Sequence, residues 1–190
     1  MDDTQWAIMD ETMKLIINKG YAATTTKDIA KQAGVNECTI FRKFKSKKDI
    51  VLCALEEKDW VPNITKDTFG PYAWDLQTDL EMFLARYIEN VTTDLTKLSI
   101  GLRAPQIYDD VADKIMKIPL AFTSEMQKYF RTMHEKNKIV TTDFELLSTM
   151  LLSLCFSFVF FKASFDNRLV DIDKHAYIKK SVATLIEGIK

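Results

Sequence analysis

The side chains with the most chemical potential crowd one short part of the chain. Residues 24–50, "TTTKDIAKQAGVNECTIFRKFKSKKDI", hold Lys27, Lys31, Arg42, Lys43, Lys45, Lys47 and Lys48 against Asp28, Glu37 and Asp49, a local excess of four positive charges. The whole chain carries a net charge of -1, and its first 60 residues contain ten basic and ten acidic groups. The positive charge is therefore concentrated rather than general. A concentrated set of cations is the electrostatic footprint of a surface that sits on a polyanion, where neutralised phosphates release their counterions.

Other chemistries find little support. The only histidines, His134 and His175, lie far apart, without paired cysteines or a HExxH arrangement, so no metal site is expected. No G-x-S-x-G, P-loop or Rossmann fingerprint occurs, and no cofactor or catalytic residue is expected. Cys38, Cys53 and Cys155 are odd in number, widely spaced and form no CxxC, which suits a reducing cytosol. The start, MDDTQW, lacks a signal-peptide pattern. The expectation is a cytoplasmic protein that is not an enzyme. The most apolar run, "LLSTMLLSLCFSFVFF" at 146–161, has 16 residues, short of a membrane span, and is expected to be a buried interface helix.

The elements that would position the basic cluster are helical. The composition is 47% hydrophobic and 28% charged, that of a folded protein, and five glycines and four prolines favour long helices with short connections. Trp6, Met9, Met13, Ile16 and Ile17 recur at helical spacing, with Gly20 following as a C-cap. Thr25 and Asp28 form a box-like N-cap for a second helix that stops at Gly34; Asn36 caps a third over 37–44, and Ser46 caps a fourth beginning at Lys47. Two prolines and a glycine in 62–72 mark a boundary. Beyond it, Leu80, Phe83, Leu84, Tyr87, Ile88, Val91 and Leu95 give a helical stripe. Further helices are expected at 99–117, 119–136, 142–165 and 173–189. The expectation is an all-α chain of about nine helices. Residues 1–50 form one three-helix domain, with helix 4 linking on to about 60, and 51–190 form a second, larger one.

The second and third predicted helices, joined by a glycine-centred turn, suggest a helix-turn-helix. Ala30 is small where two helices cross, and Gly34 suits a turn position needing φ > 0. At 100° per residue, Ile40 and Phe44 point inward together. Cys38 and Arg42 then point away from the core, with Thr39 and Phe41 on the flanks. Phe41 is an aromatic ring that core packing does not explain.

These residues carry a specific resemblance. Gly20, Tyr21, Thr25, Ile29, Ala30, Ala33, Gly34, Val35, Thr39, Ile40, Phe44, Ser46, Lys47 and Ile50 fall on the pattern of the DNA-binding domain of the TetR family of transcriptional regulators. The resemblance implies that this domain binds double-stranded DNA through Thr25, Thr26, Lys27, Glu37, Cys38, Thr39, Phe41, Arg42, Lys43 and Lys47. Thr26, Lys27 and Lys47 would hold phosphates. Glu37, Cys38, Thr39, Arg42 and Lys43 would face the major groove or its rim, and Arg42 could pair bidentately with guanine. Three positions depart from the family. Phe41 replaces the usual Tyr, Glu37 brings an anion near DNA, and Cys38 stands where small residues are common.

The resemblance further implies a homodimer on a palindromic operator, closed by the last two long helices, and release by a small-molecule effector. Thr149, Ser153 and Ser157 form a stripe of small residues, and with Phe160, Val182 and Ile186 they are the expected dimer contacts. Phe83, Tyr87, Arg103, Tyr108, Phe122, Met126 and Phe156 are the expected lining of an effector site, with an apolar or amphipathic effector as its ligand. The whole reads as a repressor. Two other readings stay open at the level of sequence. One is a regulator triggered by oxidation of Cys38 or Cys155; the other is a helical interaction protein that kept the motif and lost DNA binding.

Overall fold

Polar side chains at the helix starts decide where most of the chain's elements begin. The structure, a computed structural model of the 190-residue chain, describes every residue except Lys58, Asp59, Val61, Asn63, Ile64, Thr65, Asn167, Val170 and Lys190. The regular elements among the described residues are ten helices: α1 (Asp3–Ala23), α2 (Thr26–Gln32), α3 (Glu37–Lys43), α4 (Lys47–Ala54), α5 (Lys66–Phe69), α6 (Leu76–Asn90), α7 (Thr93–Gly101), α8 (Tyr108–Glu135), α9 (Phe144–Phe165) and α10 (Lys174–Glu187). Asp2, Thr25, Asn36, Ser46, Asp75, Asp143 and Asp173 each accept a hydrogen bond from a backbone N–H in the first turn of the helix they precede. Each satisfies a donor that the helix itself cannot pair.

The expected all-α architecture is present, with differences at its boundaries. Gly20 does interrupt α1: its φ of 81° and ψ of 162° bend the chain before one further turn to Ala23. The helix expected at 99–117 is instead the end of α7, a turn, and the start of α8. No break occurs at Pro119, which lies inside the 28-residue α8. An internal proline costs about 3 kcal/mol through a lost hydrogen bond and a clash. Ile118, Phe122, Met126, Phe130 and Met133 are all buried along this helix. At roughly 1.5–3 kcal/mol per buried apolar side chain, keeping them in register outweighs that cost. Part of the break expected at 62–72, and the end of the link expected to reach about residue 60, fall outside the described residues; α5 lies within that break.

Two compact units share the chain, and their boundary is not linear. The first comprises Met1–Pro62 with Asp94–Met116, the second Asn63–Thr93 with Lys117–Lys190. Residues 94–116, expected in the second domain, lie in the first unit, where Leu98, Leu102, Ile107 and Val111 belong to its core. They join Ile8, Met9, Met13, Ile16, Ile29, Ile40, Ile50 and Val51 there. The second unit is built on α6, against which α9 and α10 both pack. Its centre is aromatic: Phe69 meets Phe122 with ring centres 5.5 Å apart, and Phe83 meets Tyr129 edge-on at 4.9 Å. Asp79, 1% exposed, accepts from the Ala73 N–H and the Tyr129 hydroxyl at 2.8 and 2.9 Å, so its buried carboxylate is paired.

Candidate nucleic-acid interface

Helix α2 is fixed at both ends by side chains and backbone of its own neighbourhood. Thr25 Oγ1 accepts from the Asp28 N–H at 3.1 Å, and the Thr25 N–H donates back to Asp28 Oδ2 at 3.2 Å. At the other end the Val35 N–H donates to the Ala30 carbonyl and the Gly34 N–H to that of Lys31. This paired closure needs a left-handed residue after the helix, and Gly34 supplies it with φ 65°. The turn then delivers Asn36, whose side chain caps the Cys38 N–H at 3.1 Å and starts α3.

Packing sets the face that α3 presents. Ile40 and Phe44 are buried, as the helical wheel requires, while Cys38 and Arg42 are exposed and Thr39 is half-buried. Phe41 is 53% exposed.

The ten residues expected to meet DNA fall into two sets. Lys27, Cys38, Thr39, Phe41 and Arg42 take part in no side-chain hydrogen bond or ion pair among the described residues. The other five are engaged within the chain. Thr25 Oγ1 donates to Asp28 Oδ2 at 2.7 Å. Thr26 Oγ1 donates to Glu37 Oε1 at 2.5 Å, which ties the starts of α2 and α3 together. Lys43 pairs with Asp2, the N-cap of α1. That hydrogen bond with the Lys43 ammonium, reinforced by the Gln5 N–H, holds the Asp2 carboxyl below its ordinary value. Lys47 Nζ donates to the carbonyls of Tyr21 at 2.6 Å and Thr24 at 2.5 Å and lies 3.9 Å from the centre of the Tyr21 ring. Burial lowers the Lys47 ammonium's pKa, with nearby Lys19 adding to the effect.

Two of the side chains expected to hold phosphate, Lys47 and Thr26, have partners within the chain. The Lys47 ammonium faces the end of α1, because the orphan carbonyls of a helix C-terminus attract a cation. The Thr26 hydroxyl has given its only proton to Glu37. Two cations without an assigned contact, Lys31 and Lys45, are exposed and carry no ion pair among the described residues. Their membership of the basic cluster was the available signal. Asp28 shows the opposite case: hydrogen bonds from Lys19 and from Thr25 hold its carboxyl down at about 2.

The residues of the expected effector lining differ in burial and in the unit that holds them. Phe83, Tyr87, Phe122 and Met126 are buried in the second unit, where Tyr87 and Phe122 lie 5.0 Å apart edge to face. Arg103 is exposed and Tyr108 half-buried, both in the first unit, and Phe156 is exposed on α9. Apolar residues at helical spacing look alike in sequence whether they line a cavity or fill one. The expected dimer contacts also divide. Thr149 and Ser153 are exposed and Ser157 and Phe160 half-buried, whereas Val182 and Ile186 are buried within the chain. The α10 stripe faces α6 and fills the core of its own unit, so these two residues are not surface contacts.

Cys155 is fully buried, and burial pushes its thiol far above the ordinary range. A thiol buried in apolar surroundings is a poor target for oxidation in the folded chain. Cys38 and Cys53 are exposed. Among the described residues no cluster of three potential metal ligands occurs. Helix α9, with 22 residues, is long and apolar enough by length and composition to cross a membrane, longer than the apolar run alone suggested.

Comparison with known proteins agrees with this geometry. A family model described as bacterial regulatory proteins, tetR family, matches residues 8–53. The chain is 30% identical over 190 residues to the uncharacterized HTH-type transcriptional regulator YvkB of Bacillus subtilis (strain 168), covering 100% of this chain and 98% of the relative. It is 24% identical over 173 residues, 88% of each chain, to IcaR of Staphylococcus aureus, a negative transcriptional regulator of the biofilm operon icaADBC. Among solved structures, NalD of Pseudomonas aeruginosa, the secondary repressor of the MexAB-OprM multidrug efflux pump, superposes with a TM-score of 0.72. Identity there is 16%, over 98% of this chain and 95% of that one. The transcriptional regulator FadR of Bacillus subtilis, solved in complex with stearoyl-CoA, gives a TM-score of 0.67 at 21% identity, over 97% and 99%.

Proposed function

The chain belongs to the TetR family of DNA-binding transcriptional regulators, and from that premise we propose that it is a cytoplasmic, homodimeric repressor of a palindromic operator, released by a small apolar or amphipathic effector. The observation that carries the reading is the outward face of α3. Cys38, Phe41 and Arg42 are exposed there without a side-chain hydrogen bond or ion pair among the described residues, and the same holds for the exposed cations Lys27, Lys31 and Lys45. Arg42 supplies a fork for guanine, Phe41 packs on the sugar backbone, and the lysines neutralise phosphates. Thr25, Lys43 and Lys47 then act mainly as braces that hold α2, α3 and α4 in place.

One such unit reads few base pairs, so the proposal includes a dimer whose two α3 helices enter successive major grooves about 34 Å apart. The uncovered face of α9 supports it. Leu146 and Met150 are 54% and 44% exposed, with Thr149 and Ser153 beside them, and only 33% of the helix's most apolar stretch is buried within the chain. That much apolar surface calls for a partner, and a second copy of the same helix is the partner assigned here.

The repressor reading is supported by relatives described as a negative regulator and as a repressor. The effector is taken to be apolar because the interior of the second unit, with Phe69, Phe83 and Phe122 in mutual contact, is aromatic. A regulator of similar fold holds stearoyl-CoA. The effector needs to bind the released conformation better than the DNA-bound one, and the shift is limited by that difference. Selection of bound sequences from a random duplex pool tests the function. A palindrome with half-sites about one helical turn apart is expected, and a failure to enrich any sequence would overturn it.

A further inference from the structure

Glu37 is the one acidic residue of α3, a carboxylate carried by the very helix proposed to enter the groove. A solvated acid there would repel phosphate and gain nothing. This one is not simply solvated: it is half-buried, and Oε1 accepts the only hydroxyl proton of Thr26, itself half-buried, at 2.5 Å. The bond joins side chains from two helices. It removes much of the rotamer freedom that a glutamate otherwise loses on binding. An ionised carboxylate has acceptor sites on both oxygens and no donor. With one site on Oε1 taken, Oε2 keeps its full capacity, since Glu37 makes no other side-chain hydrogen bond among the described residues.

Acceptor-only chemistry selects among base edges. In the major groove guanine presents O6 and N7, and thymine presents O4; all are acceptors and repel a carboxylate. Adenine offers its N6 amino group beside the N7 acceptor. Cytosine offers an amino donor, N4, with the C5–H rather than a ring acceptor beside it on its own edge.

We propose that Glu37 is a specificity-determining residue held in place by Thr26: the hydroxyl fixes the carboxylate so that Oε2 accepts from the N4 amino group of a cytosine at one defined position of each operator half-site. This rests on the DNA-reading role of α3 proposed above.

The test is selection from a random duplex pool with the full-length chain and three variants. The wild-type chain should enrich a palindrome with cytosine at one position of each half-site, preferred over the other bases about ten-fold or more. Glu37→Gln should keep the palindrome and move the preference at that position alone from cytosine to a base with an acceptor edge, guanine or thymine, because Thr26 holds the amide oxygen and the free arm becomes an NH2 donor. Thr26→Val should flatten the preference there, while Thr26→Ser, which keeps the hydroxyl, should retain it. An unchanged preference at every position in Glu37→Gln would overturn the proposal and leave Glu37 a brace between helices. Equal behaviour of Thr26→Val and Thr26→Ser would remove the positioning role of Thr26. A wild-type chain that enriches nothing would overturn the DNA-reading role itself, an outcome distinct from a palindrome read without Glu37.

Discussion

The Lys47 ammonium stands 3.9 Å above the Tyr21 ring while donating to the carbonyls of Tyr21 and Thr24, so the first residue of α4 is a clamp on the end of α1. A cation at a helix C-terminus and over an aromatic face is worth about 1–2 kcal/mol when partly desolvated. Burial works against this charge, so Lys47→Met is expected to lower the stability of the DNA-binding unit by about 1 kcal/mol or less. It should leave the slope of log affinity against log salt unchanged. Lys27→Ala, which removes an exposed cation with no ion pair among the described residues, should leave stability alone and reduce that slope by about 0.9, the value for one phosphate. Fluorescence anisotropy on the selected operator at several salt concentrations, together with thermal melts, separates the two. A slope that falls by about one unit in Lys47→Met would place the ammonium on phosphate.

Asp28 gives a pH signature with a definite sign. Its carboxyl is held at about 2 in the folded chain by the hydrogen bonds from Lys19 and Thr25, against an ordinary value of 3.8. A lowered folded pKa means that the group's stabilisation is fully present above the ordinary value and disappears as pH falls towards the folded one. Asp28→Asn lacks it at every pH. The gap in melting temperature between wild type and Asp28→Asn should thus be constant above about pH 5 and close between about pH 4 and pH 2. A gap that stays the same down to pH 2 would show that the carboxylate's charge contributes nothing.

What periodicity could and could not reveal follows from the range of the contacts. The face of α3 was legible because Ile40 and Phe44 lie four residues apart on one turn, and the caps of α2, α3 and α4 are pairs three residues apart or fewer. The bonds that reassign the basic cluster are not local. Lys43 to Asp2 spans 41 residues, Lys47 to Tyr21 26, and Thr26 to Glu37 11. No pattern in the sequence marks them, since each joins helices that meet only after folding. The same limit explains Val182 and Ile186: an apolar stripe shows that a face must be covered, and α6, remote in sequence, is what covers it.

Two glycines should respond to alanine for different reasons. At Gly34 a Cβ would meet nothing within 4 Å, so the whole cost of Gly34→Ala is its φ of +65°, about 1–2 kcal/mol for an L-residue in the left-handed region. At Gly101 the backbone is not left-handed, but a Cβ would lie 2.8 Å from the Ile16 carbonyl oxygen. That oxygen belongs to α1 and cannot swing aside as a side-chain tip would, so Gly101→Ala forces α7 and α1 apart at an expected cost of about 1–3 kcal/mol. Gly34→Asn, which tolerates positive φ, should recover most of the loss at its site, whereas no side chain should rescue Gly101. Denaturant melts of the four proteins decide this. A neutral Gly101→Ala would mean that the close approach relaxes freely.

The division of α9 and α10 into an uncovered and a covered face makes opposite predictions for two apolar residues of the second unit. Phe156 is 40% exposed and stacks on Phe160 at 5.7 Å, beside the small residues Thr149 and Ser153. If a second copy covers this face, Phe156→Glu buries an unpaired charge in each subunit at the interface, which dimerisation cannot offset. The variant should keep the helical signal of the wild type, sediment as a 21.9 kDa monomer at micromolar concentration, and lose operator binding because half-sites are no longer held together. Ile186 is 5% exposed, facing the core of its own chain. Ile186→Ala should therefore lower stability by about 2–5 kcal/mol and leave the sedimentation of the folded protein dimeric. A wild-type chain that sediments only as a monomer would remove the dimer. A dimeric Phe156→Glu with a monomeric, folded Ile186→Ala would move the interface from α9 to α10.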